Sequence, residues 1–118
     1  MILVDTSVWI EHFRTGSARL KGLLIDEEVL THPFVIGELA CGNLENREGI
    51  LGLLATLPEV HVAEHQEVLH LLVSERLFGR GLGWVDVHLL ASARLTRCAL
   101  WTLDKPLRGA AAALKMSA

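Results

Sequence analysis

Ile2-Leu3-Val4-Asp5-Thr6-Ser7-Val8-Trp9 reads as a short buried strand that ends on an acid and turns at once into a helix. Three apolar residues in a row suit a strand covered on both faces. Asp5-Thr6-Ser7 then offers N-cap oxygens to a helix carrying Val8, Trp9, Glu11, His12 and Phe13, which Gly16 breaks. The same order of parts returns near the other end. Cys98-Ala99-Leu100-Trp101-Thr102 reads as a central strand, Asp104 follows it, and Pro106 opens a closing helix to Leu114, with a brief final strand left open.

Between these ends, helical and strand patterns alternate. A helix is expected from Ser17 to Asp26 with Leu20, Leu23 and Leu24 on one face, then a short strand Val29-Leu30-Thr31. Pro33 suits the first turn of a helix bearing Val35, Glu38 and Leu39, which Gly42-Asn43 ends. Leu44 to Thr56 is a further amphipathic helix, closed by Pro58. Val60-His61-Val62 alternates like a strand, and Glu64 to Phe78 carries Val68, Leu71, Leu72 and Leu77 at helical spacing. Gly79, Gly81 and Gly83 form a joint before a helix from Val85 to Arg97, whose Ala91, Ser92 and Ala93 allow close packing on a sheet. Strands alternating with helices predict an α/β sandwich, a central parallel sheet flanked by helices.

The 118 residues make one domain, 1–118. At 51% hydrophobic content the chain holds more apolar material than so small a core needs, which points to a homodimer or partner interface. No apolar run approaches a membrane span, and the start lacks the pattern of a secretory leader, so a cytoplasmic protein is expected. Cys41 and Cys98 are too far apart in sequence for a zinc knuckle or redox pair and read as buried free thiols. The net charge of −3 would ordinarily argue against nucleic acid, but acids masked by metal would not count toward the outer surface.

Four of those acids, Asp5, Glu38, Asp86 and Asp104, interrupt or close hydrophobic runs. Burying an ionised carboxylate without a partner costs several kcal/mol or more, and no lysine or arginine lies within three residues of the first three. One shared divalent cation held by oxygen ligands accounts for all of them and points to metal-assisted hydrolysis. Asp5 and Asp104 also fall at the carboxyl edge of the expected sheet, where ligands of parallel α/β folds collect. Plainer roles stay open: N-caps for Asp5 and Asp104, a first-turn acid complementing the helix dipole for Asp86, a solvated helix face for Glu38.

The motifs Val4-Asp5-Thr6-Ser7-Val8-Trp9-Ile10-Glu11, Gly37-Glu38-Leu39, Gly83-Trp84-Val85-Asp86-Val87-His88-Leu89-Leu90-Ala91-Ser92-Ala93 and Leu100-Trp101-Thr102-Leu103-Asp104-Lys105-Pro106-Leu107 together resemble the PIN-domain ribonucleases, most closely the VapC-type toxins of toxin–antitoxin pairs. The likeness spans nearly the whole chain in order, and only the short alanine-rich tail departs from it. It implies a catalytic and metal site of Asp5, Glu38, Asp86 and Asp104 for Mg²⁺ or Mn²⁺, with Thr6, Ser7 and Thr102 orienting the carboxylates. It also implies in-line attack on an RNA phosphodiester that leaves a 5′-phosphate and a 3′-hydroxyl, and a small antitoxin protein as partner.

Arg76, Arg80, Lys105 and Arg108, together with Arg94 and Arg97, are candidates for RNA phosphate contacts, with an ordinary solvated helix face the plainer account of most of them. Trp9, Trp84 and Trp101 could stack on bases or serve core and dimer packing. His61-Val62-Ala63-Glu64-His65 matches a zinc-peptidase pattern that needs both histidines one turn apart on a helix, against the strand-like Val60-His61-Val62. A catalytically silent PIN-like binding or scaffold module is the other alternative. Such modules commonly lose acidic residues, and this chain keeps all four.

Overall fold

In the computed structural model, which describes residues 1–118, β1 (Ile2–Val4) is the middle of a three-stranded sheet. It pairs in parallel with β2 (Val29–Leu30) on one side and β3 (Ala99–Trp101) on the other, with Ile2 opposite both Val29 and Ala99. Leu3, Val4, Val29, Leu30 and Leu100 are buried, as the continuous apolar runs require. The helices are α1 (Thr6–Thr15), α2 (Ala18–Ile25), α3 (Pro33–Cys41), α4 (Arg47–Thr56), α5 (His65–Ser74), α6 (Trp84–Thr96) and α7 (Lys105–Ala113). The fold is the expected α/β arrangement of helices about a parallel sheet.

The longest helix, α6, is buried continuously from Val87 to Ala93, and its Ala91-Ser92-Ala93 stretch needs little space against its neighbours. Trp9 lies wholly inside the core, with Phe13 beside it at 5.9 Å between rings.

Four expectations need correction. Val60-His61-Val62 is not a strand, and the sheet reaches this segment only through one parallel bridge between Thr31 and Glu59. The reason lies in α6. The His61 and Ala63 N–H groups, which a strand would give to a neighbouring strand, donate instead to Thr96 Oγ1 at 2.8 Å and Ser92 Oγ at 3.0 Å. The helix expected to reach Phe78 ends at Ser74, because Arg76 adopts φ 52° and Leu77 N–H closes back on the Leu72 carbonyl at 2.9 Å. The helix expected from Leu44 begins at Arg47, after Asn46 takes a left-handed conformation. The final strand shrinks to a single bridge, Ser117 beside Leu100, with Leu100 N–H on the Met116 carbonyl at 2.7 Å. Cys98 is half-buried and its thiol is pushed up by that burial, whereas Cys41 is exposed rather than buried.

Candidate active site

The carboxyl ends of β1 and β3 are tied together by hydroxyls. Asp5 N–H donates to the Trp101 carbonyl at 2.9 Å, which continues the ladder one step past β1. Its carboxylate does not cap α1. Instead Oδ2 accepts from Ser7 Oγ at 2.8 Å and from Thr102 Oγ1 at 2.7 Å. Each hydroxyl has one proton, and both protons point at Asp5. Their lone pairs take backbone donors: Leu103 N–H on Ser7 Oγ and Asp104 N–H on Thr102 Oγ1, both at 3.0 Å.

The other three acids come to this corner from separate elements. Glu38, in the middle of α3, accepts from Thr6 Oγ1 at 2.7 Å through Oε1. Asp86, in the first turn of α6, accepts the Gly83 N–H at 2.9 Å through Oδ2. Asp104 is the N-cap of α7, its Oδ2 accepting Leu107 N–H at 3.1 Å. Burial pushes the Asp86 carboxyl up, and the Gly83 N–H pulls it back down. The nearby charges of Asp104, Asp5 and Glu38 push it further up. Asp86 therefore lies within electrostatic reach of all three.

The premise that all four acids are buried in apolar surroundings is corrected here. Asp5 alone is buried, at 6% exposure; Asp86 is half-buried, and Glu38 and Asp104 are exposed. What they share is proximity to Asp86, not individual burial. Each has one oxygen held by a protein donor and a second with no hydrogen bond. That donor set, all hard oxygen with free lone pairs, fits Mg²⁺ or Mn²⁺. No three of these side chains close to a common ligand distance, so the fold supplies a neighbourhood of like charge rather than a finished cage.

Of the basic candidates, Arg76, Arg80 and Lys105 are exposed and make no ion pair. Arg80 lines a depression of about 260 Å³ with Pro106 and Gly109 of α7, which brings it to the Asp104 side of the site. Arg108 is turned back onto the Leu103 carbonyl at 3.3 Å, and Arg94 is paired with Glu75 at 3.3 Å. The zinc-peptidase geometry does not form: His61 is in an irregular segment and His65 is the first residue of α5.

Sequence reasoning missed a second polar cluster on α6. His32 is the N-cap of α3, and its Nδ1 accepts the Phe34 N–H at 3.0 Å. Its proton must then sit on Nε2, which donates to Ser92 Oγ at 3.2 Å, the same oxygen that accepts Ala63 N–H. Burial, and secondarily the neighbouring His88, lower the His32 pKa to about 4. His88 is likewise lowered by burial and then by His65, and its Nδ1 has no partner. The one legible signal was the place of His32 directly before Pro33, a helix-start position that a histidine can cap.

Comparison with known proteins places this geometry in context. The PIN domain family model matches residues 2–113. Two curated relatives, each named Ribonuclease VapC32 and taken from Mycobacterium tuberculosis strains CDC 1551 / Oshkosh and ATCC 25618 / H37Rv, are 55% identical over 113 residues. The alignment covers 95% of this chain and 91% of each relative.

Proposed function

Because the chain belongs to the PIN-domain family, we propose that it is a metal-dependent endoribonuclease, the toxin of a type II toxin–antitoxin pair, acting in the cytoplasm. The observation that carries the reading is that Asp5, Glu38, Asp86 and Asp104, drawn from widely separated segments, are each held through one oxygen by a hydroxyl or backbone N–H and keep the other free. The names of the 55%-identical relatives support the ribonuclease class.

Asp5, Glu38, Asp86 and Asp104 would hold Mg²⁺ or Mn²⁺ through their free oxygens. A bound ion supplies a water of lowered pKa and neutralises the charge that grows on the phosphoryl oxygens. The chain's own contribution is positioning. Ser7 and Thr102 fix one Asp5 oxygen and so aim the other, Thr6 does the same for Glu38, and the Gly83 and Leu107 N–H groups do so for Asp86 and Asp104. Arg80, Arg76, Lys105 and Arg108 would receive flanking phosphates. Incubating the purified protein with RNA in Mn²⁺, Mg²⁺ or excess EDTA tests the reading; undiminished cleavage in EDTA would sink it.

The apolar excess suits an antitoxin and a second copy of the chain. A depression of about 690 Å³ is lined by Ile10, Phe13, Leu39 and Ile50 beside Glu38, an apolar surface on which a segment of an antitoxin would lie. Phe13 belongs to this surface, whereas Trp9 does not because it is wholly buried in the core. Co-expression with a small reading frame, if one lies beside the gene, tests the antitoxin, and light scattering tests the homodimer. The absence of any bound partner together with the mass of a single chain would refute both.

A further inference from the structure

Two arginines from distant parts of the chain face one depression on the flank of the acidic corner. Arg19, in the first turn of α2, and Arg108, one turn past Asp104 on α7, line a cavity of about 220 Å³ together with Trp101, Thr102, Leu103 and Ser117. Both guanidinium groups are held, and both are held by neutral partners. Arg19 lies over the Trp101 ring at 4.2 Å, and Arg108 donates to the Leu103 carbonyl at 3.3 Å. A π face and a carbonyl fix a guanidinium without cancelling its charge, and they leave most of its five N–H donors free. Carboxylates, by contrast, already neutralise Arg14 through Glu11 and Arg94 through Glu75. No acidic side chain lines the cavity, and neither Arg19 nor Arg108 makes an ion pair.

The cavity and the acidic corner share a wall. Thr102, whose hydroxyl donates to Asp5 at 2.7 Å, and Leu103, whose N–H donates to Ser7 at 3.0 Å, belong to both. Building on the nuclease reading above, we propose that Arg19 and Arg108 form a subsite for one phosphodiester of the RNA strand, next to the one that is cut. A polyanion nearing four like-charged carboxylates is repelled, and cations placed just outside them offset that repulsion and fix the register of the strand. Planar guanidinium forks suit phosphate oxygens, and groups already held in place lose little freedom on binding. The shared wall favours RNA over an acidic peptide as the occupant, because a strand seated at the acids runs on past Leu103 into the cavity. Arg19 is the part of this subsite that its neighbours in sequence, Ser17-Ala18 and Leu20, do nothing to mark.

The test measures KM for a short RNA that the wild type cleaves, across a range of salt, with each uncut phosphate replaced in turn by an uncharged methylphosphonate. Arg19→Gln and Arg108→Gln should each raise KM roughly three- to tenfold with kcat largely kept, whatever the base sequence. The double variant should flatten the plot of log KM against log salt by about 0.7, the share of one neutralised phosphate on a single strand. Arg19→Lys keeps the charge and should recover most of the loss. Lys21→Gln, on the same helix but outside the cavity, should leave KM and slope as they are. At one phosphate the methylphosphonate should cost the wild type the same factor and the Arg19→Gln enzyme nothing. An unchanged KM in Arg19→Gln, an equal loss in Lys21→Gln, or losses that multiply at every phosphate would overturn the subsite alone. So would a lowered melting temperature in Arg19→Gln with the salt slope kept in the double variant, since Arg19 would then only cover Trp101. Unchanged RNA kinetics with loss of a co-purifying protein would also overturn it, in favour of an acidic peptide. A wild type that cleaves no RNA under any metal condition would overturn the nuclease reading, and this inference with it.

Discussion

Two polar clusters meet on α6, and they differ in how completely the fold uses them. Around His32, both ring nitrogens are consumed: one caps α3, the other reaches Ser92, and Ser92 also takes the Ala63 N–H, although the neighbouring His88 Nδ1 is left without a partner. Around Asp5, Glu38, Asp86 and Asp104, each carboxylate gives the fold one oxygen and keeps the other. The first cluster is spent on holding the chain together; the second leaves carboxylate oxygens free, as the proposed metal site requires. Substitutions should therefore separate cleanly, costing stability in the first and activity in the second.

The largest effect is expected where that separation is sharpest. Asp5→Asn should lower single-turnover RNA cleavage by about a hundredfold or more, as loss of a metal-held charge implies. It should leave the melting temperature unchanged or raised, because one of four neighbouring like charges is gone. Asp86→Asn should match it. Glu38→Gln should lose less, since Glu38 is exposed and held by a single hydroxyl. An Asp5→Asn protein that melts well below the wild type would make Asp5 a structural acid and break the comparison.

His32 should respond to pH instead. Its folded pKa, about 4, lies below the unfolded value of 6.5, so between those values the unfolded chain binds a proton that the folded chain refuses. The stabilising contribution is thus full above about pH 6.5, falls as pH drops, and levels off below about 4. The total is on the order of 3 kcal/mol. Urea melts of wild type and His32→Asn across pH 4 to 7 should show that slope in the first and a shallower one in the second. Parallel slopes would remove His32 from the account.

The smallest effect belongs to the hydroxyls that orient the acids. Thr102→Val leaves the buried Asp5 oxygen with one donor and the Asp104 N–H with none, which should cost about 1–2 kcal/mol. Thr6→Ala removes one exposed bond to Glu38 and should cost under about 0.5 kcal/mol. Thermal melts of both, with cleavage assayed alongside, order the two residues; equal costs would mean that the buried hydroxyl corner is no stiffer than the exposed one.

Legibility followed the range of the interactions. The strands Ile2–Val4 and Ala99–Trp101 were readable because an apolar run bounded by an acid or a turn is a local signal. The helix ends were readable where a local residue sets them, as Gly16 and Pro33 do. The strand misplaced at Val60-His61-Val62 failed because its alternation is real, yet its N–H groups are claimed by α6 side chains some thirty residues away. The four acids were found through their sequence context, but the reason first given for them, burial, holds for Asp5 alone.

By itself the sequence determined the alternation of strands and helices, the parallel sheet that such alternation demands, and the acids at the strand ends and helix starts, because periodicity, caps and turns act over a few residues. Only the tertiary structure decided which acid is enclosed, which hydroxyls aim it, and that His32 is kept neutral. Those outcomes depend on groups brought together from afar, Thr102 to Asp5 across 97 positions and His32 to Ser92 across 60. Burial and hydrogen-bond partnership are properties of packed neighbours, and a chain read in order does not contain them until it folds.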